Sequence, residues 1–262
     1  SKTFTSTAAK VNGETLDGDG TVAITALDAT AAADLSKITA ASVTANVAAD
    51  VTFTGTIGKA VVSVDATKTF TSTAAKVNGE TLNGGGTVAI TALDATAAAD
   101  LSNITATSVT ANVADNVTFT GDLGNAVVTV ADSKTCTAAY SVVNGKTVNH
   151  DGSESSQGFV VTVDASAKAS DLSKVTSNIT NKSVNFTGTQ TFTGALGSFT
   201  SFSAENTVVV THDAESIADG TAVSTSGAGG FTFTNFLADL TNAATGVVNV
   251  TLDSDSGTNK NS

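Results

Sequence analysis

Aspartates that recur in pairs are the residues of this sequence whose types and spacing could support chemistry. The pairs, in chain order, are Asp28 with Asp34, Asp94 with Asp100, and Asp164 with Asp171. Carboxylate oxygens that converge on one point are the ligands that calcium prefers in proteins. Aspartates at the ends of strands also form turns, because their side chains accept hydrogen bonds from the local backbone. The sequence therefore indicates turn-forming aspartates, with calcium binding by these pairs as the sharper hypothesis.

The other polar residues that could bind or react give weaker signals. The run Asp17–Gly20 has carboxylates at alternate positions, as calcium loops do, but its duplicate at 83–86 reads Asn-Gly-Gly-Gly and favours a plain turn. His150 and His212 lie far apart in the sequence and are expected to be solvated loop residues. With 27 Ser and 47 Thr in the chain, a hydroxyl near a histidine carries no catalytic information. The sequence therefore predicts no enzyme, no catalytic residue and no cofactor other than calcium.

Composition and charge exclude several classes of partner. The chain has 24 acidic residues and 12 basic ones, which gives a net charge of −12, and it contains no Pro, Met or Trp. Nucleic acid and anionic membrane surfaces require basic patches, so neither is an expected partner. No apolar run is as long as a membrane span needs, so no transmembrane segment is expected.

The aspartates belong to a long internal repeat. Residues 2–67 recur as residues 68–133, and 53 of the 66 positions are identical. Self-similarity of this kind is the signature of repeat architectures. The predicted organisation is 1–67 as repeat 1, 68–133 as repeat 2, 134–198 as a divergent repeat 3, and 199–262 as a divergent C-terminal β-segment that acts as a cap or a docking element.

Each repeat contains several short segments with alternating apolar residues, as half-buried strands have. Val22, Val43, Val61 and Val88 begin such segments, and their average spacing is one third of the repeat. A repeat therefore divides into three coils, which favours an all-β chain built as a parallel β-solenoid, or β-helix. Tandem β-sandwiches, one per repeat, are the alternative, although a single repeat would give each sandwich a thin core.

Phenylalanines in a Thr-Phe-Thr-Gly frame are expected to form the core. The frame contains Phe53, Phe119 and Phe192. Threonines flank each ring, so the alternation of a strand places the ring on the buried face. The single cysteine, Cys136, takes the position of Phe4 and Phe70 in the other copies. We therefore interpret it as a small core residue rather than a reactive thiol.

The segment 12–30, which runs through an acidic turn and a strand to Asp28-Ala29-Thr30, resembles repeats of large secreted bacterial surface proteins. The likeness continues in Ala33-Asp34-Leu35-Ser36 and Val51-Thr52-Phe53-Thr54-Gly55, and it extends over most of the chain before Phe199. These are the S-layer-like and adhesin-like β-repeat families. The resemblance implies an exported structural role, often with bound calcium. The pattern Val-Asn-Gly-x-x-Leu-x-Gly-Asp before the strand is also similar to segments of phage tail fibres.

These observations predict a structural component of a bacterial extracellular assembly at the cell surface, namely an S-layer, a filament or sheath, or the stalk of an adhesin. The chain is expected to associate with itself through β-strand contacts, because strand-forming runs at Thr3-Phe4 and at 247–252 lie near its two ends. The alternative is a glycan-binding adhesin or phage tail-fibre segment, with a cell-surface glycan as its partner. Aromatic platforms for sugar are scarce, since the chain has no Trp and a single tyrosine, Tyr140.

Overall fold

The computed structural model describes residues 2–152, 156–199, 201–213, 222–225, 230–234 and 247–250. Short β-strands dominate this part of the chain, and brief helical turns join some of them. The abundance of Thr, Val and Ile explains the preference for strands, because β-branched side chains suit a pleated, half-buried surface. The strand pairs are parallel. The prediction of an all-β chain is confirmed at this level: the protein is mostly β, with parallel sheets.

The strands have nearly the same lengths and order in successive copies of the repeat, except that residues 82–84 and 148–150 form strands whose counterpart in the first copy is a single bridge at Leu16. In chain order they are β1 (Thr3–Thr7), β2 (Thr21–Thr25), β3 (Ser42–Val47), β4 (Val51–Thr52), β5 (Val61–Val64), β6 (Thr69–Thr73), β7 (Leu82–Gly84), β8 (Thr87–Thr91), β9 (Ser108–Val113), β10 (Val117–Phe119), β11 (Val127–Val130), β12 (Thr135–Ala139), β13 (Val148–His150), β14 (Gly158–Val163), β15 (Asn181–Phe186), β16 (Gln190–Phe192), β17 (Ser201–Ala204), β18 (Val209–Asp213), β19 (Ala222–Thr225), β20 (Gly230–Thr234) and β21 (Val247–Val250). Single α-helical turns are α1 (Ala8–Val11), α2 (Ala74–Val77) and α3 (Tyr140–Val143), and 3-10 turns lie at Leu27–Ala29, Leu93–Thr96, Ala165–Ala167 and Leu172–Lys174.

The chain forms two compact units. The first comprises residues 1–136, 146–157 and 176–179, and the second comprises residues 137–145, 158–175 and 180–262. In the first unit, the sheet that we call the β1 sheet has the order β1-β2-β3-β5-β7, and the β6 sheet has the order β4-β6-β8-β9-β11-β13. In the second unit, β14, β15, β17 and β19 pair in that order, and the β20 sheet has the order β16-β18-β20-β21. The four segments predicted from the sequence follow the repeats rather than these two units, and that division stays a prediction.

Neighbouring strands of a sheet lie at a nearly constant separation in sequence. One line of register partners across the β1 sheet runs through Ser6, Ile24, Ala45, Val62 and Leu82. The equivalent line across the β6 sheet runs through Ser72, Ile90, Ala111, Val128 and Val148, with the same spacing at each step. Side-chain hydrogen bonds between adjacent strands likewise join positions that are 19 apart in sequence. That separation is the length of one step, and each step adds one strand to a sheet.

A repeat does not hold a whole number of these steps. Strand β1 belongs to the β1 sheet, but its copy β6, which has the same sequence, belongs to the β6 sheet. The predicted series Val22, Val43, Val61 and Val88 is therefore wrong at its last step, because Val88 is the register partner of Phe70 and Val109 in the β6 sheet. Division of each repeat into three coils is wrong for the same reason.

Alternation within the strands places the predicted rings in the core. The side chains of Phe53, Phe119 and Phe192 are each 1% exposed, and the threonines beside Phe119 are exposed. The glycine that ends this frame is fixed by a close backbone approach. A Cβ at Gly121 would lie 2.0 Å from the carbonyl oxygen of Ala99, and comparable clashes recur at the two equivalent glycines, Gly55 and Gly194. Glycine is needed there because no other residue lets the two chain segments come so near.

Candidate functional site

The second aspartate of each predicted pair folds back on its own turn. Oδ1 of Asp34, Asp100 and Asp171 accepts a hydrogen bond from the backbone N–H of the serine two positions later, at 3.0, 2.9 and 3.2 Å. The hydroxyl of that serine also donates to Asp100, at 2.6 Å, and to Asp171. The Asp-x-Ser spacing explains these turns, since an aspartate side chain reaches the backbone two positions on. These residues hold the corner between strands.

The first aspartate of each pair does not have a constant role. Asp28 Oδ1 accepts the N–H of Ala48 at 2.8 Å, and Asp94 Oδ1 accepts the N–H of Ala114 at 2.7 Å, so both bridge to the end of the next strand in the sheet. Asp164 instead caps its own 3-10 turn, where Oδ1 accepts from the Ser166 N–H at 2.8 Å. The third pair thus has a local geometry of its own.

Hydrogen bonding favours the charged form of four of these carboxyl groups. The serine hydroxyl is the largest cause, and together with the serine N–H it lowers the pKa of Asp34, Asp100, Asp164 and Asp171 below the ordinary value. Two of the four residues, Asp100 and Asp164, are exposed, and the other two are half-buried. A charged carboxylate at the surface can attract a cation, but each of the four already uses Oδ1 in its own turn.

The calcium hypothesis stays a prediction. Across the described ranges, no three His, Cys, Asp or Glu side chains are close enough together to hold a metal ion. All six predicted aspartates use Oδ1 to accept from backbone N–H groups. Four of them bond their own turn, as the sequence indicated, whereas Asp28 and Asp94 bond a strand end 20 positions away. Oδ2 and nearby carbonyl groups are the oxygens that a bound calcium ion would have to recruit.

The histidines and the cysteine are held by packing and hydrogen bonds. The expectation of a solvated loop is wrong for His212, which lies in β18 at 5% exposure, with its ring 5.3 Å from the Phe192 ring. The position is buried because it faces the core in a strand. His150 ends β13 and is half-buried, and its Nδ1 accepts the N–H of Gly152 at 3.0 Å. Cys136 is buried, as predicted, and burial raises its pKa to about 12.

Strand β6 shows how a strand of this sequence is covered on its outer side. Val51 of β4 is the register partner of Phe70, and the rings of Phe53 and Phe70 lie 5.4 Å apart. Phe70 is fully buried as a result, at 0% exposure. The cover is therefore a short parallel strand with an apolar residue opposite the ring and a second one two positions later.

Polar groups of β6 are satisfied by the same cover. The Thr69 N–H donates to the Asp50 carboxylate at 2.8 Å, and the Thr71 carbonyl accepts from the Phe53 N–H at 2.7 Å. The Ser72 hydroxyl, which is buried, donates to the Phe53 carbonyl at 2.8 Å. The covering strand therefore supplies both donors and acceptors to β6.

Strand β1 has the sequence of β6 but lacks this cover. It pairs with β2 on one side, and no other strand of the described chain lies on its outer side. Phe4 is consequently 51% exposed, whereas Phe70 is buried. The alternation of the ladder turns the backbone groups of Thr3 and Thr5 to the open side, as Thr69 and Thr71 turn to β4. Within the described residues, the outer side of β1 and the ring of Phe4 are thus exposed.

Sequence reasoning did not single out the polar residue that immediately precedes β4 and β10. Asn116 Oδ1 accepts the Thr135 N–H at 2.8 Å, as Asp50 does for Thr69 in the preceding copy. An available signal was the Asp-to-Asn exchange between otherwise matched Val-Thr-Phe segments, because it changes the charge and keeps the accepting oxygen.

No protein-family model, curated protein or solved structure matches this chain. Among the residues that the structure describes, no helix is long and apolar enough to cross a membrane. The function is therefore inferred from the geometry and chemistry of the chain itself.

Proposed function

We propose that this chain is a structural component of a bacterial extracellular assembly, in which parallel β-solenoid units associate with one another through the edges of their sheets. The observation that carries the proposal is the ladder of parallel strands, which repeats the same spacing of register partners in both sheets of the first unit. A ladder of this kind grows by one strand at a time and has no built-in end.

Pairing between copies favours a continuous solenoid over a chain of separate sandwiches. Strand β5 of the first copy pairs with β7 of the second, and β4 of the first copy pairs with β6 of the second. Neither sheet of the first unit stops at the boundary between repeats 1 and 2. Those repeats therefore support each other, as neighbouring units of a solenoid do.

Surface chemistry supports an extracellular structural role over a catalytic one. A net charge of −12 keeps such a ladder soluble, and the many Thr and Ser residues present neutral hydroxyls to water. The tyrosine that could stack on a sugar is already engaged, because the Tyr140 hydroxyl lies 3.2 Å from both the backbone nitrogen and the carbonyl oxygen of Asp171. The glycan-binding alternative therefore has little support from this residue.

Electron microscopy and sedimentation of the purified chain test the proposal. We expect rods or sheets whose length or extent grows with protein concentration, and we expect cell fractionation to place the chain in the surface fraction. A chain that sediments as a monomer at every concentration and salt level, or that fractionates with the cytoplasm, would contradict the proposed role.

A further inference from the structure

The outward faces of the β1 sheet and the β6 sheet carry no charged side chain. No strand of either sheet contains Asp, Glu, Lys or Arg, although the chain has 24 acidic and 12 basic residues. Soluble protein surfaces typically have about 25–35% charged residues, with both signs interspersed. The charges of this part of the chain therefore lie in the segments between strands and leave two neutral faces.

Threonine dominates these faces, and the register of the strands arranges the outward side chains in rows. One row across the β6 sheet consists of Thr71, Ala89, Thr110 and Val127. All four side chains are exposed or half-buried, whereas the residues that alternate with them along the strands are buried. The equivalent row of the β1 sheet consists of Thr5, Ala23, Thr44 and Val61.

These rows make a two-dimensional lattice of methyl and hydroxyl groups. Neighbouring strands lie about 4.7–4.9 Å apart, and outward residues along one strand lie about 6.6 Å apart. Hydroxyl oxygens of a neighbouring row are held in place, because Thr91 Oγ1 donates to the Ser72 carbonyl at 3.3 Å and Thr129 Oγ1 donates to the Ala111 carbonyl at 3.5 Å. Their lone pairs stay able to accept hydrogen bonds from water.

We propose that the outward face of the β6 sheet, and its copy on the β1 sheet, binds the surface of ice. Ordinary ice repeats over distances of similar size along two of its crystal axes, so such a lattice can meet successive water molecules of an ice surface in register. Hydroxyls replace hydrogen bonds of that surface, and methyl groups order the water between them. A neutral face suits a neutral crystal, since a charged side chain would keep a hydration shell of its own.

Size and composition favour ice over a protein partner for this face. Six strands of about five residues cover roughly 400 Å², from the spacings of a parallel sheet. A stable protein interface buries about 800 Å² on each partner. The strands of the β6 sheet also present no Trp, Tyr, Met or Arg, the residue types that are enriched in protein interfaces. Ice binding is independent of the proposed self-association, which uses the edges of the sheets.

The duplication supplies a matched pair of variants. Strands β3 and β9 have the same sequence and belong to different sheets, so Thr44 and Thr110 occupy equivalent exposed positions on the two faces. Thr44→Lys with Thr110→Lys therefore places a charge on both faces. The control is Thr39→Lys with Thr105→Lys, which makes the same change at exposed positions between strands. Both pairs alter net charge equally, and substitutions at such surface positions have little effect on stability.

Partition into ice grown slowly from a dilute solution is the test, with an unrelated soluble protein as internal standard. Growing ice excludes ordinary solutes, so we expect the wild type and the control pair to be enriched several-fold in the ice over the standard. The face pair should be excluded as the standard is. Circular dichroism melts of all three proteins check that the fold is kept.

Each result bears on the face itself. Exclusion of the wild type from ice overturns the proposal without any variant, and so does equal enrichment of the face pair and the wild type. If the face pair instead loses concentration-dependent sedimentation while the wild type is excluded from ice, the face is an interface between copies of the chain. Enrichment in ice by a wild type that stays monomeric would sustain this proposal and contradict the proposed assembly.

Discussion

Substitution of Gly121 by alanine is the sharpest test of how closely the strands and corners approach one another. The added Cβ would lie 2.0 Å from the Ala99 carbonyl oxygen, whereas ordinary van der Waals contacts begin near 3.4 Å, so the two segments must move apart. Overpacking of this kind costs about 1–3 kcal/mol. The Asp122 N–H donates to the same Ala99 oxygen at 3.0 Å, and loss of that bond adds about 0.5–1.5 kcal/mol. We therefore expect Gly121→Ala to lower the free energy of unfolding by about 2–4 kcal/mol.

A matched control comes from Gly85, where the nearest heavy atom to an added Cβ is the Ala66 Cβ at 3.3 Å. A glycine-to-alanine change that the native backbone tolerates stabilises a protein by about 0.4–1 kcal/mol, because the unfolded chain loses freedom. Gly85→Ala should therefore change stability by less than about 1 kcal/mol. Urea unfolding followed by circular dichroism compares the two variants. Equal stability for Gly121→Ala and Gly85→Ala would refute the close approach.

Four further predictions concern the core, the backbone, acid titration and calcium. In urea unfolding, Phe119→Ala should lower the free energy of unfolding by about 3–5 kcal/mol, and Thr118→Ala should lower it by well under half of that, because the ring is buried and the threonine is exposed. Equal losses of stability in the two variants would contradict the alternation of buried and exposed residues along β10. Thr67→Gly should stabilise by about 0.5–1 kcal/mol, since Thr67 has a left-handed φ of 67°, and a loss of stability would contradict this. By NMR titration the Asp100 pKa should lie below the ordinary value of an aspartate and should rise in Ser102→Ala. The stabilising effect of this carboxylate is present above the unfolded pKa and is lost as the pH falls through the lower folded value, and an unchanged pKa in Ser102→Ala would contradict the hydrogen-bond assignment. If calcium binds, a chelator should lower the melting temperature less in Asp100→Asn than in the wild type. A melting temperature that does not change with chelator would contradict calcium binding and would leave backbone hydrogen bonding as the role of these aspartates.

The strands themselves could be predicted from local sequence. Alternation of apolar and polar residues located β2, β3 and β5, and the Thr-Phe-Thr-Gly frame located the buried rings of Phe53 and Phe119. These features depend on a side chain and its near neighbours in sequence. The duplicated segment also showed which carboxylates the fold does not need, as at Asp17 and Asn83.

The register between strands could not be predicted in the same way. Val88 continues the apolar pattern after Val61, but the chain reaches the β6 sheet at that point because the repeat is not a whole number of steps long. The prediction for His212 is wrong for a related reason: its burial depends on facing Phe192 from the next strand of the sheet. Pairing partners that are separated by a corner and a further strand leave no mark in the local pattern.

The run Thr3-Phe4 was singled out from the sequence as a terminal strand, but the exposure of its ring could not be derived from the repeat, since residues 2–16 and 68–82 are identical. What distinguishes Phe4 from Phe70 is the presence of β4 over one and not the other.

Oriented diffraction from assembled protein is the most direct test of a self-associating parallel solenoid. Strands that stack as rungs along the axis of an assembly give a reflection at about 4.7–4.9 Å parallel to that axis. We expect that reflection along the long axis of the rods. Rods that lack the axial reflection, or that show it perpendicular to the axis, would contradict the solenoid and the edge-to-edge association together.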